Sequence, residues 1–182
     1  MTKTLCPSFR ETKLLKRGFV QLYLGAGFGK SMAVFGLAVR LATYNSSTYI
    51  ARFWDKEIQQ PLSVRKLIPY IDVELFGGTG ENEPSGAEHG TDPAHEGITQ
   101  LAGALQSGTY ALVVGDALLD ALEAGLVTDE EIKSLLRARP DNVELLLTGE
   151  TAPVWLIDKA DLVTDRRNID VSEYIDKYRR TA

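Results

Sequence analysis

Residues 18–43 read GFVQLYLGAGFGKSMAVFGLAVRLAT, and this stretch decides the fold. Residues 18–24 form a short run of aromatic and aliphatic side chains that stops at glycines, which predicts a buried strand. Residues 29–43 are apolar around most of a helical circumference, which predicts a helix buried on more than one side. A glycine-rich turn between a strand and a helix is the setting of a phosphate-binding loop.

The turn supplies the groups that a nucleoside triphosphate needs. Its glycines let backbone N–H groups turn onto an anion, and the helix N-terminus adds more of them. Lys30 offers a charge to the terminal phosphates, and Ser31 offers a hydroxyl to Mg²⁺ or Mn²⁺. The common motif has one more glycine, where this chain has Leu24, and the alternative is a turn with an incidental lysine. The predicted ATP-binding residues are Gly25, Ala26, Gly27, Phe28, Gly29, Lys30 and Ser31.

Asp116 follows another buried strand, Tyr110 to Val114, at its C-terminal end. P-loop proteins place there an acid that holds the water shell of the metal, so Ser31 and Asp116 are the predicted metal residues. Aspartate is also a favoured N-cap, and a helix is predicted from residue 117. The two roles are compatible.

Strands and helices alternate along the whole chain, which indicates a parallel sheet covered by helices on both faces. The predicted fold is therefore α/β of the P-loop NTPase (RecA-like) type. A Thr128–Glu131 capping box marks the start of one helix. Further strands are predicted at 47–54, 71–76, 143–147 and 162–164, and further helices at 61–68, 93–106, 117–124, 128–138 and 153–159.

A length of 182 residues favours a single domain. Residues 1–17 are polar and mixed and are predicted to be an N-terminal arm, and residues 18–166 the P-loop domain. Residues 77–92 are glycine-rich and acidic, which predicts a mobile loop inside that domain. Residues 167–182 are predicted to be a C-terminal tail.

The bulk composition argues against several partners. The net charge is −5, and the basic residues form only short clusters, so nucleic acid is a poor candidate. The apolar runs are too short to span a membrane. Cys6 is the single cysteine, and residues 1–9 lack the apolar core of a signal peptide, so a cytoplasmic protein is expected.

The phosphate loop and two later segments resemble the ATP:corrinoid adenosyltransferases of cobalamin biosynthesis and salvage. That family's phosphate loop has the form Gly-x-Gly-x-Gly-Lys-Thr/Ser, which matches residues 25–31. Residues 145–164, LLLTGETAPVWLIDKADLVT, are similar to the family segment LTGRxAPxxLIExADLVT. Residues 110–126 are similar to the family's strand, Asp-Glu-Leu turn and following helix, and the loop flanks Tyr23, Ala33, Phe35 and Gly36 match as well. A weaker likeness is found at Arg52, Phe53 and Lys56.

The resemblance implies a P-loop homodimer that uses ATP and a divalent metal. It also implies transfer of the 5′-deoxyadenosyl group of ATP to a reduced corrinoid cobalt, with release of triphosphate. The chain would be an enzyme of this kind, or else a non-catalytic ATP- or corrinoid-binding relative that acts as a sensor or partner protein.

The differences from the family concern polar positions. Ala117 stands where the family has a glutamate, Phe28 replaces a basic residue of the loop, and Glu150 replaces an arginine. Residues 77–90 replace an aromatic element, and residues 168–182 lack the family's C-terminal pattern. These losses predict ATP binding with weak transfer activity or none. Arg52, Lys56 and Arg166 are the candidate cations that could compensate for them.

Overall fold

The computed structural model describes residues 17–53, 68–77 and 93–179. Except for residues 17, 68 and 77, the predicted arm (1–17), short helix (61–68) and glycine-rich loop (77–92) lie outside these ranges. The strands are β1 (Val20–Leu24), β2 (Ser47–Arg52), β3 (Ile71–Leu75), β4 (Tyr110–Asp116), β5 (Glu144–Thr148) and β6 (Leu162–Asp165). The helices are α1 (Lys30–Ala42), α2 (Pro93–Gln106), α3 (Leu118–Glu123), α4 (Asp129–Ala138), α5 (Val154–Ile157) and α6 (Val171–Arg179).

The six described strands form one sheet in the order β3-β2-β4-β5-β1-β6, and every pairing is parallel. The predicted parallel α/β fold is confirmed. Strand β1 is hydrogen-bonded on both sides, to β5 and to β6, although it lies next to the edge of the sheet rather than at its centre. The order is not sequential, and each parallel pairing requires a crossover connection.

Alternate side chains of the strands enter two separate cores, as the period of two in a strand dictates. Helix α1 covers one face of the sheet through Val34, Ala38 and Leu41. Buried residues of α2, α3, α4 and α5 cover the other face, among them Leu101 and Ile132. Helices therefore lie on both faces. No helix in the described ranges is long and apolar enough to cross a lipid bilayer.

Local sequence signals set the ends of α4. The predicted capping box is present, since Thr128 Oγ1 accepts a hydrogen bond from Glu131 N–H and Glu131 Oε2 accepts one from Thr128 N–H. His95 Nδ1 of α2 lies 2.8 Å from the other carboxylate oxygen of Glu131, so the cap also joins two helices. The helix ends ahead of Pro140, as the restriction on residues preceding proline predicts.

A carboxyl group is buried at the opposite edge of the sheet from the phosphate loop. Glu144, the first residue of β5, is 7% exposed, and its Oε1 accepts a hydrogen bond from the side-chain amide of Gln21. Burial raises the pKa of Glu144 above its ordinary value, although the hydrogen bond from Gln21 acts in the opposite direction. The ionised form is therefore the less stable one in the folded protein.

Glu144→Gln is expected to raise the free energy of unfolding at pH 8 by about 1 kcal/mol, because the amide removes a buried charge and keeps the acceptor for Gln21. A raised pKa means that the folded state holds its proton more tightly than the unfolded state. Stability of the wild type therefore falls as the pH rises above the ordinary carboxyl range, and the gain from glutamine should shrink at pH 5. Urea unfolding at both pH values measures this.

The control for that experiment is Glu130→Gln. Glu130 is exposed, and its hydrogen bond from Arg137 lowers its pKa, so its replacement should give no gain at pH 8. An equal gain from both variants would show that burial of Glu144 is not the cause.

Candidate functional site

The carboxyl ends of five strands meet along one edge of the sheet, because all the strands run in the same direction. Strand β1 leads there into the glycine-rich loop, and β4 ends there at Asp116. Strands β2 and β5 end at Arg52 and Thr148, and β6 ends at Asp165. In open parallel sheets this edge is where ligands bind.

The loop adopts backbone conformations that glycine alone accepts at low cost. Gly25 has φ of +104° and Gly29 has φ of +93°, and Gly29 is the N-cap of α1 in a left-handed conformation. A Cβ atom added to Gly25 would lie 2.2 Å from the Arg166 carbonyl oxygen, and one added to Gly27 would lie 2.6 Å from the same atom. Glycine is thus required at these positions by conformation and by close packing.

The ends of β5 and β6 hold the first half of the loop. Gly25 N–H donates to the Glu150 carbonyl at 2.9 Å, and Gly27 N–H donates to the Arg166 carbonyl at 2.9 Å. Phe28 N–H donates to a side chain, the Oδ1 of Asn168, at 3.2 Å. These contacts fix the entry to the loop from two neighbouring strands.

The second half of the loop keeps its N–H groups available. The amides of Gly29, Lys30 and Ser31 have no acceptor among the residues that the structure describes, as expected for the first turn of a helix. The ammonium group of Lys30 lies back over the loop and donates to the carbonyls of Gly25 at 2.5 Å and Gly27 at 3.5 Å. Three free amides, a helix N-terminus and a lysine therefore converge at one place, which is suited to a phosphate.

Asp116 is the centre of a buried polar network and is 1% exposed. Its Oδ1 accepts hydrogen bonds from Ser31 Oγ at 3.1 Å and Thr148 Oγ1 at 2.8 Å. Its Oδ2 accepts a bond from Arg52 Nε at 3.1 Å, which is a buried ion pair. The two predicted metal residues are thus in direct contact.

The alternative role of Asp116 as a helix cap is wrong. The N-cap of α3 is Ala117, and no side chain caps that helix. The Ala117 N–H donates to Thr148 Oγ1 at 2.8 Å, so the threonine hydroxyl joins this backbone to Asp116. Ala117 has φ of +57°, a left-handed conformation that costs a residue with a Cβ about 1–2 kcal/mol. The chain bends there so that α3 leaves the sheet while Asp116 remains directed at Ser31.

The Ser31–Asp116 pair fits a divalent cation. Because Ser31 Oγ donates its hydrogen to Asp116, the lone pairs of that oxygen are left for a metal ion. Within the three described ranges, no group of three or more His, Cys, Asp or Glu side chains could hold a metal ion. A Mg²⁺ ion with few protein ligands, completed by phosphate oxygens and water, is the usual arrangement for nucleotides.

Acidic residues surround the loop on the α3 side. Asp120 Oδ1 accepts a hydrogen bond from Glu150 N–H at 2.7 Å, and the Glu150 carbonyl in turn accepts from Gly25. Burial raises the pKa of Asp120 above its ordinary value, although the hydrogen bond from Glu150 and the charge of Lys30 lower it. Two acids therefore lie near the positions where a triphosphate would gather its negative charge.

Phe28 lies at the open side of the loop. Its side chain is 81% exposed, and that of Met32, in the first turn of α1, is 67% exposed. An aromatic ring that faces solvent thus stands at the loop position for which the resemblance implies a basic residue. Trp54 and Lys56 lie outside the described residues.

Sequence reasoning missed three contributors to this site. In the sequence, Thr148 is only one residue of the family-like segment 145–164. Its position at the end of β5 explains its contact with Asp116. Asn168 lies in the predicted tail, and Asp120 lies in the first turn of α3. A polar residue at the end of a predicted strand was the signal for Thr148, whereas none marked the other two.

Comparison of the sequence with known proteins identifies one matching family and three relatives. A sequence profile of the family "ATP:corrinoid adenosyltransferase BtuR/CobO/CobP" matches residues 16–176. An uncharacterised protein of Nostoc sp. is 29% identical over 167 residues, which cover 82% of this chain and 44% of that protein. The chain thus spans less than half the length of this relative.

The other two relatives are named as corrinoid adenosyltransferases. CobA of Salmonella typhimurium is 26% identical over 163 residues, which cover 85% of this chain and 79% of that protein. The Pseudomonas aeruginosa protein is 24% identical over 152 residues, which cover 82% of this chain and 75% of that protein.

Proposed function

The chain belongs to the ATP:corrinoid adenosyltransferase family, and we propose that it binds ATP and slowly transfers the 5′-deoxyadenosyl group to a reduced corrinoid cobalt. One observation carries the ATP half of this proposal. The free amides of Gly29 and Ser31, the Lys30 ammonium group and the Ser31 hydroxyl lie within one turn of chain. Asp116 contacts that hydroxyl from the end of β4.

In the proposed complex the triphosphate lies against residues 25–31. The amides of the first turn of α1 bind phosphate oxygens, and the positive end of the helix dipole adds to their attraction. Lys30 exchanges its hydrogen bonds with the loop carbonyls for contacts with the terminal phosphates. Mg²⁺, held by Ser31 with Asp116 behind it, would neutralise part of the phosphate charge.

The transfer step makes one bond and breaks another. The electron pair of the reduced cobalt attacks the ribose C5′, a cobalt–carbon bond forms, and the C5′–O bond to the triphosphate breaks. Triphosphate leaves with the bonding electrons, so groups that stabilise its added charge lower the barrier. In this chain the task falls on the loop amides and Lys30, which hold the triphosphate in position.

A second candidate is a non-catalytic ATP- or corrinoid-binding relative that serves as a sensor or partner protein. The observation that favours it is the charge beside the loop. Asp120 and Glu150 lie there with the exposed Phe28, and Ala117 stands where the family has a second carboxylate. These residues can accommodate a bound nucleotide more easily than they can stabilise a departing triphosphate.

The proposal includes a homodimer and a cytoplasmic location. The homodimer rests on the family, and the location rests on the single cysteine, which suits a reducing compartment. Sedimentation of the purified chain would test the dimer.

The test of the proposed function is a pair of measurements on the purified chain. Calorimetric titration with Mg·ATP should show one saturable site per chain. An anaerobic assay with reduced cobalamin should then show the spectrum of the adenosyl product together with release of inorganic triphosphate. Absence of ATP binding would overturn the proposal, and ATP binding without any adenosyl product would favour the second candidate.

A further inference from the structure

The backbone of Arg166 is fixed directly against the phosphate loop. Its N–H donates to the Leu24 carbonyl at 2.8 Å, and its carbonyl accepts the Gly27 N–H at 2.9 Å. The close approach of that carbonyl to Gly25 and Gly27 leaves no room for a Cβ on either glycine. The position of residue 166 relative to the loop is therefore set by main-chain contacts that any side chain would preserve.

The Arg166 side chain extends along the loop toward the start of α1. Its Nη1 lies 3.4 Å from the point where a Cβ on Gly29 would be. Its guanidinium carbon lies 6.0 Å from the centre of the Tyr23 ring. The guanidinium group thus lies beside the same N-terminal turn whose amides are available.

Within the described ranges, Arg166 has no anionic partner of the kind that Arg52 and Arg167 have. Arg167 pairs with Asp165 at 2.5 Å, and Arg52 pairs with Asp116. Among the residues described, no carboxylate lies within 4.0 Å of the Arg166 guanidinium, and its buried Nε has no hydrogen-bond partner. A buried N–H group without an acceptor is costly unless a ligand supplies one.

We propose that the Arg166 guanidinium binds the triphosphate of ATP, beside the amides of the α1 N-terminus. This inference rests on the proposed function and names a further phosphate-binding residue within it. Arg166 supplies positive charge at a loop in which Phe28 and Glu150 stand at positions that are basic in the family. Arginine suits this role because its planar group donates two parallel hydrogen bonds to phosphate oxygens.

The test compares Arg166→Gln with the control Arg167→Gln in calorimetric titrations with ATP and with inorganic triphosphate, each with Mg²⁺. Loss of the charge-assisted hydrogen bonds at residue 166 should weaken binding of both ligands by about tenfold to a hundredfold. The control removes an exposed arginine that already pairs with Asp165, and should stay within about threefold of wild type. The two changes alter net charge equally.

Each outcome is decisive. If wild type binds both ligands and the two variants are equal, Arg166 is not a phosphate residue, while the proposed function stands. If Arg166→Gln weakens ATP binding but leaves triphosphate binding unchanged, the contact is with the nucleoside and the inference is wrong. If wild type binds neither ligand, both proposals fall together.

A third variant separates binding from folding. Arg166→Lys retains the charge and should recover part of the lost triphosphate affinity, while both variants melt within a few degrees of wild type without ligand. If Arg166→Gln unfolds, the Arg166→Lys variant decides alone. If Arg166→Lys then binds triphosphate as tightly as wild type, the guanidinium is not required and the inference is wrong. An intermediate loss of triphosphate affinity in Arg166→Lys would support the inference.

Discussion

Lys30→Ala is expected to weaken binding of Mg·ATP by about a hundredfold or more, which corresponds to several kcal/mol of binding free energy. Lys30 is the first residue of α1 and its ammonium group lies over the loop, between the carbonyls of Gly25 and Gly27. No other lysine belongs to the loop, so the full charge facing the terminal phosphates would be lost. Calorimetric titration of the two proteins measures the difference.

Lys159→Ala is the matched control. Lys159 is exposed and precedes β6, so it lies toward the opposite edge of the sheet from the loop. Its replacement removes the same charge and should leave ATP affinity within about threefold. Thermal unfolding without nucleotide checks whether the loop survives the loss of the Lys30 hydrogen bonds. Equal ATP affinity in wild type and Lys30→Ala would mean that residues 25–31 are not a phosphate site.

The wild-type chain is expected to transfer adenosyl groups at well below about one turnover per second, the low end of ordinary enzymes. Triphosphate departure develops negative charge, and loss of one preorganised contact commonly slows such a step by about a hundredfold. The resemblance to the family implies an unfavourable change of charge at three positions, Phe28, Ala117 and Glu150. The structure places all three at the loop or next to its direct contacts.

The triple variant Phe28→Lys, Ala117→Glu, Glu150→Arg should therefore be faster than wild type. Phe28 is exposed, so a lysine fits without repacking. Glu150 contacts Gly25 through its carbonyl, which places an arginine beside the loop. A glutamate at residue 117 keeps the left-handed backbone at about the cost that alanine already bears. The rate of adenosylation of reduced cobalamin, with saturating Mg·ATP, is the readout.

Asp141→Arg controls for net charge. Asp141 is exposed and precedes β5, at the opposite edge of the sheet, and its reversal adds as much positive charge as the triple variant. It should leave the rate of transfer unchanged. A wild-type rate of about one per second or faster would refute the argument from lost charges. A slow wild type that the triple variant does not improve would favour the non-catalytic binder.

The candidate compensating cations are not equivalent in the folded protein. Arg52 is buried and forms an ion pair with Asp116, so its charge is already neutralised at the edge of the sheet. Lys56 lies outside the described residues. Arg166 lies beside the loop without a carboxylate partner among those residues. Arg166 is therefore the candidate cation that would compensate for the basic residues that the resemblance implies at positions 28 and 150.

The sequence by itself determined most of the elements and their type, but helix α6 (Val171–Arg179) lies where a C-terminal tail was predicted. Apolar runs bounded by glycine predicted the strands, and the described strands fall within a few residues of the predictions. The Thr128 capping box and Pro140 predicted both ends of α4. These features depend on neighbours along the chain, through steric limits on the backbone and hydrogen bonds between residues three or four apart, so they can be seen in a linear sequence.

The sequence also indicated the phosphate loop, because its chemistry is carried by consecutive residues. Glycines, a lysine and a serine in that order supply the phosphate-binding groups. The strand and the helix predicted on either side indicate the structural context of a phosphate loop. The mutual contact of Ser31 and Asp116, which are far apart in sequence, followed only indirectly from the rule that parallel strands end at one edge.

Only the tertiary structure decided how the site is supported. The order β5-β1-β6 places Glu150 and Arg166 on the two sides of the loop, and the neighbouring ends of β2 and β5 bring Arg52 and Thr148 to Asp116. These contacts join residues separated by long stretches of chain. Their formation depends on which strands pair, and pairing is set by the summed burial of two faces of the sheet rather than by any local motif.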